Sequence, residues 1–398
     1  MKILQVIPYF PPAYAFGGPV EVSYQISKEL VKRGHEVIVY TSDAGNYSSR
    51  LNIESIKFID GIEVHYFRNL SLASVKILKL FITPQLISHA KKEVKKFDVI
   101  HLHEYRTFQN IVVANYARKY GVPYVLQAHG SLPRIMPWRR LKWVYDIFVG
   151  YWLLWGASKV IALTRVEARQ YKAMGVPEEK ITIVPNGINL SEYANLPPKG
   201  LFKKKFNIKE EEKIILYLGR INKSKGLDLL AKAFKIVSKE FGNVRLVIVG
   251  PDDGYAATFS RLIASLGIEE KVLMTGFVKK EDKLAALVDS DVFVTPRFSG
   301  FPVTFLEACL AGCPIITTSD ELDWIHNNVG YVVESSPTAL AKAILSIMKD
   351  DEKYVKFRIN CKSIIKNFDI ARIASQLEAL YTSMVKNHRV TDGRTGLE

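Results

Sequence analysis

The chain has 398 residues, a hydrophobic fraction of 48%, a charged fraction of 24% and a mean hydropathy of +0.04. These values exclude wholesale disorder, collagen-like repeats and a multi-span membrane protein, and the length calls for two domains, since chains beyond roughly 250 to 300 residues split. Net charge is +15, and residues 1–190 hold 25 basic against 14 acidic side chains while the remainder holds 30 against 26, so an anionic partner is expected on the first half.

The opening reads as strand, helix, strand: Ile3 to Ile7, an amphipathic stretch from about Pro19 to Arg33, then His35 to Thr41. Short Val/Ile-rich runs recur at Asp98 to His103, Pro123 to Ala128, Ser158 to Leu163 and Ile181 to Val184, most followed by helical segments. A parallel sheet with crossover helices is the economical reading. The stretch from Pro197 to Glu212 has few apolar residues and reads as a linker. The rhythm restarts at Ile214 to Leu218, Val244 to Val249, Val272 to Thr275, Val292 to Thr295 and Pro314 to Thr318, with helices near 226–240, 256–267, 281–288 and 303–311. From Pro337 to Lys386 the pattern is helical throughout, and residues 391–398 carry no pattern and are expected to fray.

Cys309, Cys313 and Cys361 cannot staple so long a chain, and no Cys/His spacing suggests zinc, which implies a reducing compartment. Cys309 and Cys313 are expected to share a packing surface at a helix end. The apolar run after Met1 stops at Pro8, too short for a signal-peptide core, so the expected location is cytoplasmic.

In α/β proteins the ligand binds at the carboxyl ends of the strands, which directs attention to three loops. Gly17-Gly18 opens a helix and lets backbone N–H groups approach a diphosphate, although GxGxxG is absent. Gly219-Arg220 through Lys225-Gly226 offers a guanidinium fork and an ammonium between flanking glycines, without a Walker-type pattern. Ser299-Gly300-Phe301-Pro302-Val303 delivers the positive end of a helix to an anion, and Glu307 one turn later can accept two hydrogen bonds from a vicinal diol such as ribose.

These loops, with His103-Glu104, His129-Gly130 and Pro185-Asn-Gly187, together resemble glycosyltransferase family 4, in order along nearly the whole chain. The resemblance implies a GT-B fold, an α/β architecture of two Rossmann-like doubly wound domains facing across a cleft. These are an acceptor domain at 1–190, a nucleotide-sugar domain at 191–368, and a crossover helix at 369–388 that packs Ile373 and Leu377 on the first domain. It further implies that Arg220 and Lys225 bind the diphosphate, Glu307 the ribose, His129 the donor sugar near its reacting carbon and Gly18 the phosphate from the other lobe. Gly17, Gly219, Ser299, Gly300, Phe301, Pro302 and Val303 complete the donor side, with His103 and Glu104 on the acceptor side. The implied activity is retaining hexosyl transfer from a UDP- or GDP-sugar to a glycolipid, lipid-linked oligosaccharide or polysaccharide, with no cofactor and no metal. One departure stands out: the family commonly has Glu-x7-Glu here, and Ser299 occupies the first glutamate's place.

Asp289-Ser-Asp291 matches a DxD metal motif, but Asp291 opens a strand, so the pair is expected to cap the preceding helix and start that strand. Asp252-Asp253 likewise reads as a turn and helix start. Of His101 and His103, one is expected to be buried and the other to face the cleft. Two basic stretches interleaved with apolar residues, Lys76 to Lys96 and Arg134 to Trp143, suit either an anionic membrane surface or a solvated face over a buried stripe. Ile147 to Trp155 is apolar but too short to span a bilayer, and reads as a buried or interface-lying helix. Competing readings are a same-fold epimerase or disaccharide synthase, a nucleotide-sugar-binding pseudoenzyme, and a nucleic-acid-binding protein, for which no recognition motif is present.

Overall fold

The computed structural model describes residues 1–134 and 138–391, with side chains to His388. Residues 135–137 of the second basic stretch and the expected fraying beyond Thr391 lie outside the described residues. The chain divides into two compact units, one of Met1–Ile188 plus the C-terminal segment from Ile370, the other of Asn189–Asp369.

The first unit is built on an eight-stranded sheet of β1 (Lys2–Val6), β2 (Glu36–Ser42), β3 (Ile56–Ile59), β4 (Ile62–Phe67), β5 (Val99–His103), β6 (Tyr124–Gln127), β7 (Lys159–Ala162) and β8 (Ile181–Ile183). Their spatial order is β3-β4-β2-β1-β5-β6-β7-β8. All neighbours pair in parallel except β3, which lies antiparallel to β4 at the edge. That hairpin, unanticipated in the sequence reading, turns on Asp60 and Gly61, both at positive φ (48° and 79°) as a type I′ turn requires. Buried on both faces, the central strands contribute Leu4, Val6, Ile100, Leu102, Leu126 and Val160 to one core.

The second unit holds a six-stranded parallel sheet of β9 (Lys213–Leu218), β10 (Val244–Val249), β11 (Val272–Gly276), β12 (Val292–Thr295), β13 (Ile315–Thr317) and β14 (Gly330–Val332), in the order β11-β10-β9-β12-β13-β14. Helices Leu227–Glu240 and Pro337–Met348 bury Leu230, Phe234, Leu340 and Ile344 against it. The strand β14 was not anticipated.

In each sheet the chain steps outward in both directions from a central pair, β1 and β5 in the first and β9 and β12 in the second. Such switch points leave a crevice at the carboxyl ends of the pair. The loops singled out above leave β1, β5, β9 and β12.

Residues 197–212 do not form a linker. The short helix Leu201–Lys205 buries Phe202 in the second unit, Ile208 follows it inside, and Asp289 accepts from the N–H groups of Gly200 (2.5 Å) and Lys203 (3.0 Å). The expected C-terminal helix is interrupted between Met348 and Asp351 and again at a 3-10 turn, Ile365–Phe368. Its final part, Ile370–Thr391, packs on the first unit, where Ile373, Leu377 and Tyr381 are buried and Glu378 accepts from Arg33 (3.1 Å) and pairs with His35 (3.0 Å).

Candidate functional site

At the carboxyl edge of the first sheet, β5 ends in His103 and the chain turns through Glu104 at φ 66°, while β6 is followed by His129 at φ 51°. Residues two apart on a strand share a face. Accordingly His101 and His103 stack with ring centroids 4.0 Å apart and both are fully buried, where one was expected to be buried and the other to face the cleft. His103 Nε2 donates to Gln5 Oε1 (2.6 Å), so its Nδ1 accepts from His129 Nε2 (2.8 Å) and the lone pair of His129 falls on Nδ1. His101 Nδ1 meets the Tyr381 hydroxyl at 2.7 Å. Burial pulls His101 and His129 down to about 3 and His103 well below the usual histidine range, with neighbouring imidazoles adding to the effect on His101 and His103. The three rings are therefore uncharged near neutrality.

Glu104 accepts from the Tyr9 hydroxyl at 2.7 Å, and Tyr9 is held by a stack on Phe16 (4.9 Å) and an edge contact with Phe81 (5.5 Å). Burial pushes the Glu104 carboxyl up to about 7, against the hydrogen bonds from Tyr9 and Ser131. A carboxyl poised there exchanges a proton readily at neutral pH. Gly130 donates its N–H to Glu167 (2.7 Å), whose other oxygen takes the N–H of Leu163 (2.7 Å), fixing the turn after His129. Gly17 and Gly18 are exposed at the start of the helix Gly18–Lys32, with open space where a Cβ would stand.

The second unit's edge is charged. Beyond β9, Arg220 Nη1 bonds Asp253 at 2.9 Å from a side chain more than half exposed. A Cβ on Gly250 would come within 2.1 Å of the Gly219 carbonyl oxygen, so only glycine lets these two strand ends meet. Lys225 is half-buried, and its ammonium has no hydrogen-bond partner among the described residues. Burial and then the Arg220 charge hold it below the usual lysine range. Gly226, at φ 75°, lets the loop after β12 close over it: Arg297 N–H donates to the Lys225 carbonyl at 3.3 Å.

After β12, Ser299 is exposed and Gly300 donates to Glu321 Oε2 at 2.6 Å. Phe301 turns its ring into the core against Phe368 (5.5 Å) and Trp324 (6.1 Å), leaving its backbone to the loop. The helix Val303–Leu310 begins at Pro302 with no side-chain cap; the Phe305 N–H returns to the Pro302 carbonyl (3.2 Å), while those of Val303 and Thr304 have no partner among the described residues. Glu307 is buried, accepts from Tyr193 Oη (3.0 Å) and Lys283 Nζ (2.5 Å), and leaves Oε2 without a partner among the described residues. A buried orphan acceptor is costly alone and fits a ligand hydroxyl. Tyr193, Lys283 and Glu321 were not found from sequence, because none stands in a recognisable spacing.

The remaining expectations resolve locally. Asp289 caps the helix Leu201–Lys205 rather than the helix before it, while Asp291 takes Lys213 Nζ (2.9 Å) and the Ile214 N–H (2.8 Å). Asp252 accepts from Gly254, Tyr255 and Ala256 at the start of the helix Ala256–Ser265. Among the described residues no group of three His, Cys, Asp or Glu could hold a metal. Cys309, Cys313 and Cys361 are free and buried, and burial pushes the Cys309 and Cys313 thiols up. The stretch 139–156 is helical, with Leu141, Trp143, Ile147, Phe148 and Trp155 exposed, as is Trp138 before it, and Leu153 and Leu154 buried. Among the described residues no helix is long and apolar enough to cross a membrane.

The family model described as Glycosyltransferase Family 4 matches residues 16–192, and that described as Glycosyl transferases group 1 matches residues 199–364. An uncharacterized glycosyltransferase of Methanocaldococcus jannaschii, MJ1607, is 27% identical over 88% of this chain and 90% of its own length. UDP-Gal:alpha-D-GlcNAc-diphosphoundecaprenol alpha-1,3-galactosyltransferase of Escherichia coli is 27% identical over 80% of this chain and 82% of its own. Among solved structures, Anabaena Alr3699/HepE in complex with UDP superposes with a TM-score of 0.78 at 20% identity, covering 96% of this chain and 100% of that one. The fold is GT-B, and with two family models matched in succession along most of its length, the chain belongs to glycosyltransferase family 4.

Proposed function

We propose that this glycosyltransferase moves a hexosyl group, with retention, from a UDP- or GDP-sugar to a glycolipid, lipid-linked oligosaccharide or polysaccharide, without a divalent ion. The observation that carries the reading is the half-buried Lys225 ammonium, without a hydrogen-bond partner among the described residues, in a segment bonded to the loop that leads into the helix Val303–Leu310. In the reaction the glycosidic C–O bond breaks with its electron pair passing to the leaving diphosphate. The acceptor oxygen bonds the same face of the sugar carbon and passes its proton to that diphosphate. Lys225, Arg220 and the helix N–H groups stabilise the developing charge, and Glu307 Oε2 takes a ribose hydroxyl. His129 serves the reacting sugar as a neutral imidazole, and Glu104 and His103 belong to the acceptor side.

An acceptor joining phosphate to lipid is supported by a cleft of about 760 Å³ in the first unit, lined by Leu132, Arg134, Arg139, Arg140, Trp143 and Tyr151 among others. Its neighbours Ile147 and Phe148 are exposed, and the one acidic residue of the stretch, Asp146, is buried between Arg106 (2.9 Å) and Arg134 (2.7 Å). An apolar, cationic face without an exposed carboxylate suits an anionic membrane surface.

Thermal unfolding with UDP- and GDP-sugars tests the donor class, because a ligand bound only by the native state raises Tm. His129→Ala is expected to lower turnover severely while leaving nucleotide affinity nearly intact; a fully active variant removes His129 from the mechanism. Product analysis with labelled donor separates transfer from epimerisation. Retained activity in a chelator is expected, and a strict divalent-ion requirement would contradict the ion-free reaction.

A further inference from the structure

The position where the family commonly carries a glutamate holds Ser299, exposed and without a hydrogen bond among the described residues, so the loop after β12 brings no carboxylate of its own. Another comes from the next strand. Glu321 lies four residues beyond the end of β13, and β13 pairs in parallel with β12, so both loops leave the same edge of the sheet side by side. They are tied together: Thr318 donates both its N–H (3.1 Å) and its hydroxyl (2.7 Å) to the Pro296 carbonyl. Gly300, the neighbour of Ser299, donates its N–H to Glu321 Oε2 at 2.6 Å. Glu321 Oε1 has no hydrogen-bond partner among the described residues. The carboxylate is half-buried, and burial raises its proton affinity while the Lys225 charge acts in the opposite sense. Glu321 is therefore anchored by one oxygen to the loop in which Ser299 stands, free at the other, and within electrostatic reach of the ammonium assigned to the donor diphosphate.

We propose that Glu321 is the residue that recognises the donor's hexose, its free oxygen accepting from sugar hydroxyls in place of the carboxylate absent at Ser299. The proposal rests on the donor reading above and deepens it, because it separates two parts of one ligand. The nucleotide is held by Lys225, Arg220 and Glu307, and the sugar is read from the loop after β13. A carboxylate fixed at one oxygen and open at the other discriminates hydroxyl orientation, since the charge-assisted bond is strong and directional.

The test measures binding of UDP, UDP-glucose, GDP and GDP-mannose by calorimetry to the unaltered protein and to Glu321→Gln. Glutamine retains an oxygen for the Gly300 N–H, so the loop is kept while the charge is removed. Expected is a loss of about tenfold in affinity for the preferred nucleotide-sugar with the free nucleotide unchanged. Adding Ser299→Glu to Glu321→Gln should restore much of it. If Glu321→Gln binds nucleotide-sugar as the unaltered protein does, or loses nucleotide and nucleotide-sugar equally, the role of Glu321 is wrong and the donor reading survives. If the unaltered protein binds none of the four compounds, the donor reading itself falls, and this proposal with it.

Discussion

The carboxyl edges of the two sheets handle charge in opposite ways. In the first unit the titratable groups are stripped of it: three histidines are stacked and neutral, and Glu104 is held near half-protonation by burial. In the second, ion pairs dominate: Arg220 is paired with Asp253 and Glu307 takes Lys283, while burial and the Arg220 charge hold Lys225 below the usual lysine range. On the proposed reading the first edge receives a neutral hydroxyl, which uncharged imidazoles and a carboxyl near half-protonation can hydrogen-bond without a fixed charge. On the same reading the second edge steadies a diphosphate, for which cations in place before the ligand arrives are suited. One architecture used twice thus presents two different sets of side chains at its strand ends, stacked imidazoles in one unit and ion pairs in the other.

The comparison can be broken most directly at Lys225. Lys225→Ala should lower kcat/KM for a nucleotide-sugar by about 10²-fold, and Arg220→Ala by less because its guanidinium is more exposed. Steady-state kinetics that reverse that order would remove the preset-cation argument. The histidine stack gives the next effect. Histidines with folded pKa values below their unfolded ones cost stability as pH falls from about 6.5 towards 3, by about 1.4 kcal/mol per pH unit for each residue. Acid unfolding followed by circular dichroism should therefore be steep in that window and markedly shallower in His101→Phe.

Glu104 acts with the other sign. Its folded value near 7 lies above the unfolded one, so its contribution is full below about 4.5 and is lost as pH rises through 7. Glu104→Gln should consequently steepen the rise of stability with pH between 4.5 and 6.5 by about 1.4 kcal/mol per unit. An unchanged slope would mean that the carboxyl is not desolvated. The smallest effect belongs to Glu378→Ala, which breaks partly exposed pairs with Arg33 and His35 and should cost about 1 kcal/mol in denaturant unfolding.

Much of this was readable in the sequence because the strands are buried on both faces and announce themselves as Val/Ile runs. Both switch-point loops followed from where those runs stop. The hairpin of β3 and β4 was missed although Asp60-Gly61 sits between two apolar runs, and β3 leaves Ile56 and Phe58 exposed, so its side chains give no burial signal. The supposed linker misled because its few apolar residues, Phe202 and Ile208, are deeply used. Arg220 and Lys225 could be singled out because their loop directly follows a strand, whereas His129 could be singled out only through the family resemblance. Lys283 and Tyr193 could not, since they reach Glu307 from a helix and a turn far away in sequence. Glu321 became visible only through the pairing of β12 with β13.

The N–H of Ile370 donates to the carbonyl of Ile188 at 2.9 Å, so the chain leaves the first unit and re-enters it at adjacent points. Topologically, Asn189–Asp369 is an insertion spliced into a host that is otherwise complete. A short bridge from residue 188 to residue 370 would close the host without stretching it, and the excised insert would begin and end at neighbouring positions, suitable for circular permutation. Each unit could then be handled as a separate polypeptide.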